Sequence, residues 1–131
     1  MVDTALVKQD LTPEMIQAGA EFLQSLDAAQ VPVTSAFWLY RGEEADWRLI
    51  IASPDVAQKG LRQVYLTLVD HLHAMTRDEL KGSYITAVAP DEKIVVAIRK
   101  VFKTAGISSI RLTGNVINGI LIPDALIYRS T

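Results

Sequence analysis

Asn118-Gly119 lies between two apolar runs rich in β-branched residues, 107–117 and 120–129. A two-residue connection with positive φ at both positions matches the twist of paired strands, and Asn-Gly is the pair that adopts it most readily. The dipeptide predicts an antiparallel hairpin with Ile117 opposite Ile120, Leu112 opposite Ala125 and Ile110 opposite Ile127. Pro123 has no N–H to give to a ladder. The last strand is therefore expected at an edge, bulged or broken near 123–124, with Gly114 across from the break.

A second hairpin is expected earlier in the chain. Residues 33–40 and 47–52 are rich in β-branched and aromatic side chains, and a polar loop containing Gly42 joins them. With Tyr40 opposite Trp47, Trp38 faces Leu49 and Ala36 faces Ile51 on one side of the sheet. Phe37, Leu39, Ile50 and the stem of Arg48 take the other side. Both sides are largely apolar, so both are expected to be covered.

Helices account for the rest. Thr12-Pro13-Glu14 joins a capping hydroxyl, a proline where no N–H is needed, and an acid at the positive end of the helix dipole. Met15, Ile16, Gly19, Phe22, Leu23 and Leu26 then form one stripe, which predicts a helix over 13–29. A turn at 54–59 precedes a helix over 60–75 with a stripe of Leu61, Val64 or Tyr65, Leu68, and Leu72 or Met75. Residues 76–82 read as a loop. The stretch 84–89 carries no charge, which predicts a central strand. Pro90-Asp91-Glu92 opens a third helix whose stripe runs through Ile94, Val95, Ile98, Val101, Phe102 and Ala105, with Gly106 as its left-handed cap.

The resulting order is α-β-β-α-β-α-β-β, an α+β fold with an α/β-like centre. We expect one domain over 1–131 with residues 1–10 frayed, built on a mixed five-stranded sheet in the order 1-2-3-4-5. The terminal pairs would be antiparallel and the centre parallel. Right-handed crossovers advancing in one direction place the second and third helices on one face. The N-terminal helix then partly covers the other face and leaves apolar sheet surface open.

Composition narrows the functional classes. Of 131 residues, 50% are hydrophobic and the formal net charge is -2, which excludes a disordered chain. Zero Cys excludes disulfides, thiolate metal sites and Cys nucleophiles. A pI near 5.6 argues against a strongly basic nucleic-acid binder. The start of the chain carries Asp3, Lys8 and Asp10 and does not read as a signal peptide. The longest aliphatic run, 94–98, falls far short of the ~20 residues that span a bilayer, so no membrane is expected and the reading is cytoplasmic.

The polar motifs have simple structural explanations. Pro54-Asp55, Pro90-Asp91 and Pro123-Asp124 suit helix starts and a strand break. Asp91-Glu92-Lys93 contains an acid-x-Lys step, but metal-dependent nucleases place that step on a strand and here it opens a helix. His71 and His73, two apart on a helix, point to different sides and cannot readily share a metal. Arg41, Arg48, Lys59 and Arg62 beside Trp38, Tyr40 and Trp47 have the makings of a single-strand nucleic-acid platform, but Glu43, Glu44 and Asp46 offset that field.

The function expected from sequence is a non-enzymatic interaction or regulatory module acting as a homodimer or as a subunit of a complex. Trp38, Tyr40, Trp47 and Leu49 are the expected contact residues, left open by the N-terminal helix. No catalytic residue, cofactor or metal ligand is assigned. Two alternatives stand beside this reading: a metal-dependent hydrolase or nuclease using Asp55, Asp91 or Asp124, and a weak single-stranded nucleic-acid binder.

Overall fold

A computed structural model describes residues 10–104 and 106–131. The expected fraying of 1–10 falls almost wholly outside the described residues, as does the place of Ala105 in the third helical stripe. The elements are α1 (Pro13–Ala28), β1 (Ser35–Arg41), β2 (Asp46–Ala52), α2 (Asp55–Lys59), α3 (Leu61–Met75), β3 (Ile85–Val88), α4 (Lys93–Val101), β4 (Ile110–Ile117) and β5 (Ile120–Ser130). The fold is α+β with the expected element order and a mixed five-stranded sheet.

Local signals act as the residues suggest. Thr12 Oγ1 accepts the Met15 N–H at 3.1 Å and starts α1 ahead of Pro13. The turn at 54–59 is the short helix α2, and Gly60 at φ 84 separates it from α3. Asn118 and Gly119 take φ 52 and 79, and Ile117 pairs with Ile120. Tyr40 pairs with Trp47, Trp38 with Leu49 and Ala36 with Ile51, the register expected from the loop between them.

Strand order departs from expectation. The sheet runs β3-β2-β1-β5-β4. Only β2 and β3 are parallel; β1 is antiparallel to both β2 and β5, and β5 to β4. The C-terminal hairpin joins the sheet through β5 against β1, so the stretch around 84–89 is an edge strand, not a central one. It follows that β3 and β4 are antiparallel strands at opposite edges. The handedness rule for parallel crossovers does not govern their connection, and α4 lies on the face opposite α3.

The two helices on one face are therefore α1 and α3. Phe22, Leu23 and Leu26 of α1 and Val64, Leu68 and Leu72 of α3 enclose Trp38, Trp47, Leu49, Ile51 and Tyr128. On the other face, Val95 and Ile98 of α4 pack over Phe37, Ile50, Leu112, Ile122 and Ile127. The third helix is shorter than its apolar stripe. Phe102 is extended at φ -122, and Thr104 bridges to Ser130, so pairing with β5 takes over the chain before Gly106.

Pro123 behaves as expected only in part. β5 is central over 125–127, where it pairs with both neighbours, and Pro123 lies on the length that extends past β1. Gly114, at φ 62, falls opposite it. Strict alternation would put Ile122 on the same face as Leu126, yet the two belong to different cores. Likewise Leu112 and Ile117, five residues apart, share one core. The pleat therefore changes phase on both strands at Gly114 and Pro123.

Candidate functional site

The aromatic cluster expected at an interface is inside the chain. Trp38 and Leu49 are 0% exposed and Trp47 is 1% exposed. Tyr40 is half-buried and packs on the same core, its ring 5.3 Å from that of Trp47. The expectation that α1 leaves these residues open is corrected: α1 and α3 together cover that face. Neither indole is open to stack on a base, so the single-strand platform built on Trp38, Tyr40 and Trp47 is corrected with it.

A hydrogen-bond chain locks this cluster to α1. Trp38 Nε1 donates to Tyr128 Oη at 2.8 Å, and Tyr128 Oη donates to the Ile16 carbonyl at 2.7 Å. Tyr128 has no partner on β1 because the register shifts between Ala36 and Phe37, so it stands in a bulge that aims its ring toward α1. Burial pushes the phenol well above its ordinary pKa, against the smaller opposing effect of the Trp38 hydrogen bond. The phenol is a fixed donor and acceptor in a structural joint.

Arg129 forms a second joint. Its guanidinium donates to both carboxylate oxygens of Asp27 at 2.9 and 2.6 Å, to the Gly106 carbonyl at 2.8 Å and to the Val33 carbonyl at 3.3 Å. The hydrogen bonds from Arg129 hold Asp27 below the usual carboxylate pKa. The end of α1, the approach to β1 and the end of β5 meet at this one side chain.

The three aspartates do not form a group. Asp55 pairs with Lys59 at 3.3 Å, and Asp91 lies in the exposed turn before α4. Asp124 is buried and takes a bidentate contact from Arg111 at 2.7 and 2.8 Å, which raises the pKa of Arg111. No three His, Asp or Glu side chains are placed to hold a metal among the described residues. Asp91-Glu92-Lys93 occupies the turn and helix start as expected. His71 is half-buried and His73 exposed on α3.

The four cations expected near one end of β1 and β2 divide. Arg41 is held by Asp46 at 2.7 Å, a contact that raises the arginine pKa and lowers that of the aspartate. Lys59 stays with Asp55. Arg48 and Arg62 line one groove between α3 and β3.

The exposed apolar surface lies elsewhere. Val116 and Leu121 are cross-strand partners, 68% and 62% exposed, near the tip of the β4–β5 hairpin. The phase change at Gly114 and Pro123 turns Ile117, Ile120 and Ile122 toward the α4 core, so Val116 and Leu121 face outward. Residues 110–128 contain two charged side chains, Arg111 and Asp124, and these bind each other. Arg111 also lies 5.6 Å from the Trp47 ring centroid. Residues 110–128 of the hairpin thus form an arm without net charge, with a bare apolar pair and a β4 edge that pairs with no other strand among the described residues. Sequence reasoning missed this pair because it requires knowing where the alternation breaks.

The fold and these surfaces define an α+β domain with a mixed sheet between α1 and α3 on one side and α4 on the other. No known family model, curated protein or solved structure gives a significant match to the chain.

Proposed function

We propose that this chain is a non-catalytic interaction module that self-associates through the β4–β5 arm. The observation that carries the reading is the Val116–Leu121 pair, exposed on an arm without net charge. Edge strands that must stay single are commonly guarded by charged side chains, especially Lys. Here the charges of the arm neutralise each other. A neutral arm meets no like-charge repulsion from an identical one, and a two-fold axis brings the same patch of both copies together. The occupant is thus a second copy. Residues such as Val116 and Leu121 would form the apolar centre of the contact, with the β4 edges beside them.

We place this association in the cytoplasm, a compartment compatible with a chain that carries no Cys. No helix among the described residues is long and apolar enough to cross a membrane.

Sedimentation of the purified chain at micromolar concentration tests the reading. The expected result is a dimer that becomes monomeric in Val116→Lys/Leu121→Lys, with far-UV dichroism unchanged because both positions are exposed. A monomer in the unsubstituted chain, or a dimer indifferent to both substitutions, overturns it.

A further inference from the structure

The opposite edge of the sheet carries a different surface. Among the described residues β3 pairs only with β2, and a groove of ≈ 300 Å³ lies between this edge and α3. Leu61, Tyr65, Arg48 and Arg62 line it together with Ile85, Thr86 and Ala87 of β3. Leu61 is 54% exposed, and the lining includes two arginines and no carboxylate.

The backbone of that edge is already partly committed. Val88 accepts from Ser53 N–H at 3.1 Å, so Thr86 and Val88 turn their amides toward β2 and Ile85 and Ala87 turn theirs outward. The Ile85 N–H donates to the Gly82 carbonyl, and the Ile85 carbonyl accepts from Arg48 Nη2 at 3.2 Å. Arg48 also donates to the Ser83 carbonyl and to Thr86 Oγ1. Ala87 is thus the one outward residue of β3 whose N–H and carbonyl have no partner among the described residues. Arg62, on the first turn of α3, has no ion-pair partner among the described residues.

We propose that this groove binds a short, extended, acidic peptide from a partner protein. One residue of the peptide exchanges main-chain hydrogen bonds with Ala87, in the manner of a strand added to a sheet edge. An apolar side chain lies against Leu61 and Tyr65, and a carboxylate meets Arg62 in a charge-assisted contact. Charge selects the occupant: a groove with two arginines and no acid favours a peptide carrying Glu or Asp and rejects a basic one. Four residues of β3 offer a footprint of roughly 13 Å, which limits the peptide to a few residues of contact. The groove lies at the other edge of the sheet from the β4–β5 arm, so this proposal stands or falls apart from self-association.

The test is an NMR titration of the ¹⁵N-labelled full chain with an octapeptide of alternating Glu and Val. A Lys/Val octapeptide and a single-stranded oligothymidylate run alongside. The expected result is saturable shifts centred on Ala87, Leu61 and Arg62 with the Glu/Val peptide, and none there with the other two. Arg62→Glu should weaken the Glu/Val peptide by about tenfold or more, as loss of a charge-assisted contact implies, and admit the Lys/Val peptide. Ala87→Pro removes an N–H the β2 ladder does not use and should abolish binding with the fold kept. If Ala87→Pro does not fold, Arg62→Glu alone decides. No binding of the Glu/Val peptide, binding unaffected by Arg62→Glu, equal binding of the Lys/Val peptide, or oligothymidylate binding at these residues in place of peptide overturns the proposal.

Discussion

Gly19 is a helical position where alanine would ordinarily be the better residue, by up to ~1 kcal/mol. Here a Cβ would lie 2.3 Å from Tyr128 Oη and 3.0 Å from Trp38 Nε1, both in a packed core. Gly19→Ala is therefore expected to destabilise the chain by ~1–3 kcal/mol, the range typical of overpacking. Tyr128→Phe strands Trp38 Nε1 and removes the second donor to the Ile16 carbonyl, and should also cost about 1–3 kcal/mol. Both sites share one contact, so the double variant should lose less than the sum of the two, read from urea midpoints. Asp27 adds a pH dependence. Its folded pKa is lowered by Arg129, so its contribution is present above the unfolded value near ~3.9 and is lost as pH falls through the folded one. The stability gap between the unsubstituted chain and Asp27→Asn should thus be constant from pH 7 to 5 and close toward pH 3. A gap that widens on acidification contradicts this account of Asp27.

At the scale of elements, the turn at Asn118-Gly119 is the sharpest test of local chemistry. A Cβ at Gly119 meets nothing within 4 Å, so the strain of φ 79 alone opposes a larger residue. Gly119→Val should destabilise by on the order of 1 kcal/mol or more, and Asn118→Ala by less. Equal stability of Gly119→Val and the unsubstituted chain would rule out the positive φ. Both hairpin registers were legible in the residues because turn chemistry and period-two alternation act over a few positions. The limit of that reasoning is visible at Val116. Alternation carried straight through from Leu112 buries Val116 and exposes Ile117, whereas Ile117 is buried and Val116 bare. Two irregular residues, Gly114 and Pro123, invert the pattern, and their effect on facing appears only when both strands are in place. The end of α4 illustrates the same competition. Its apolar stripe continues to Phe102, but Thr104 is drawn into pairing with Ser130.

For the whole molecule, the order of strands was the least legible property. Nothing local in 84–89 distinguishes a central strand from a short edge strand of small residues. The better indication lay in 125–128, four uncharged residues that are buried on both faces as β5 runs between β1 and β4. Placing β5 there moves α4 to its own face and frees α3 to join α1 over the tryptophans. The aromatic cluster was recognisable as a unit, but which helices covered it depended on that topology. Trp38→Glu should accordingly unfold the chain, as an unpaired buried charge does, and should not merely separate two folded copies. In the proposed dimer the arms of two copies meet. Because the chain has no Cys, single spin labels at Thr113→Cys and, as a control, Gln63→Cys on α3 allow it to be measured by dipolar spectroscopy at micromolar concentration. A dimer joined through the arms gives a defined short distance between copies labelled at 113 and no comparable short distance at 63. A short distance at 63 with none at 113, or no coupling at either position, would contradict it.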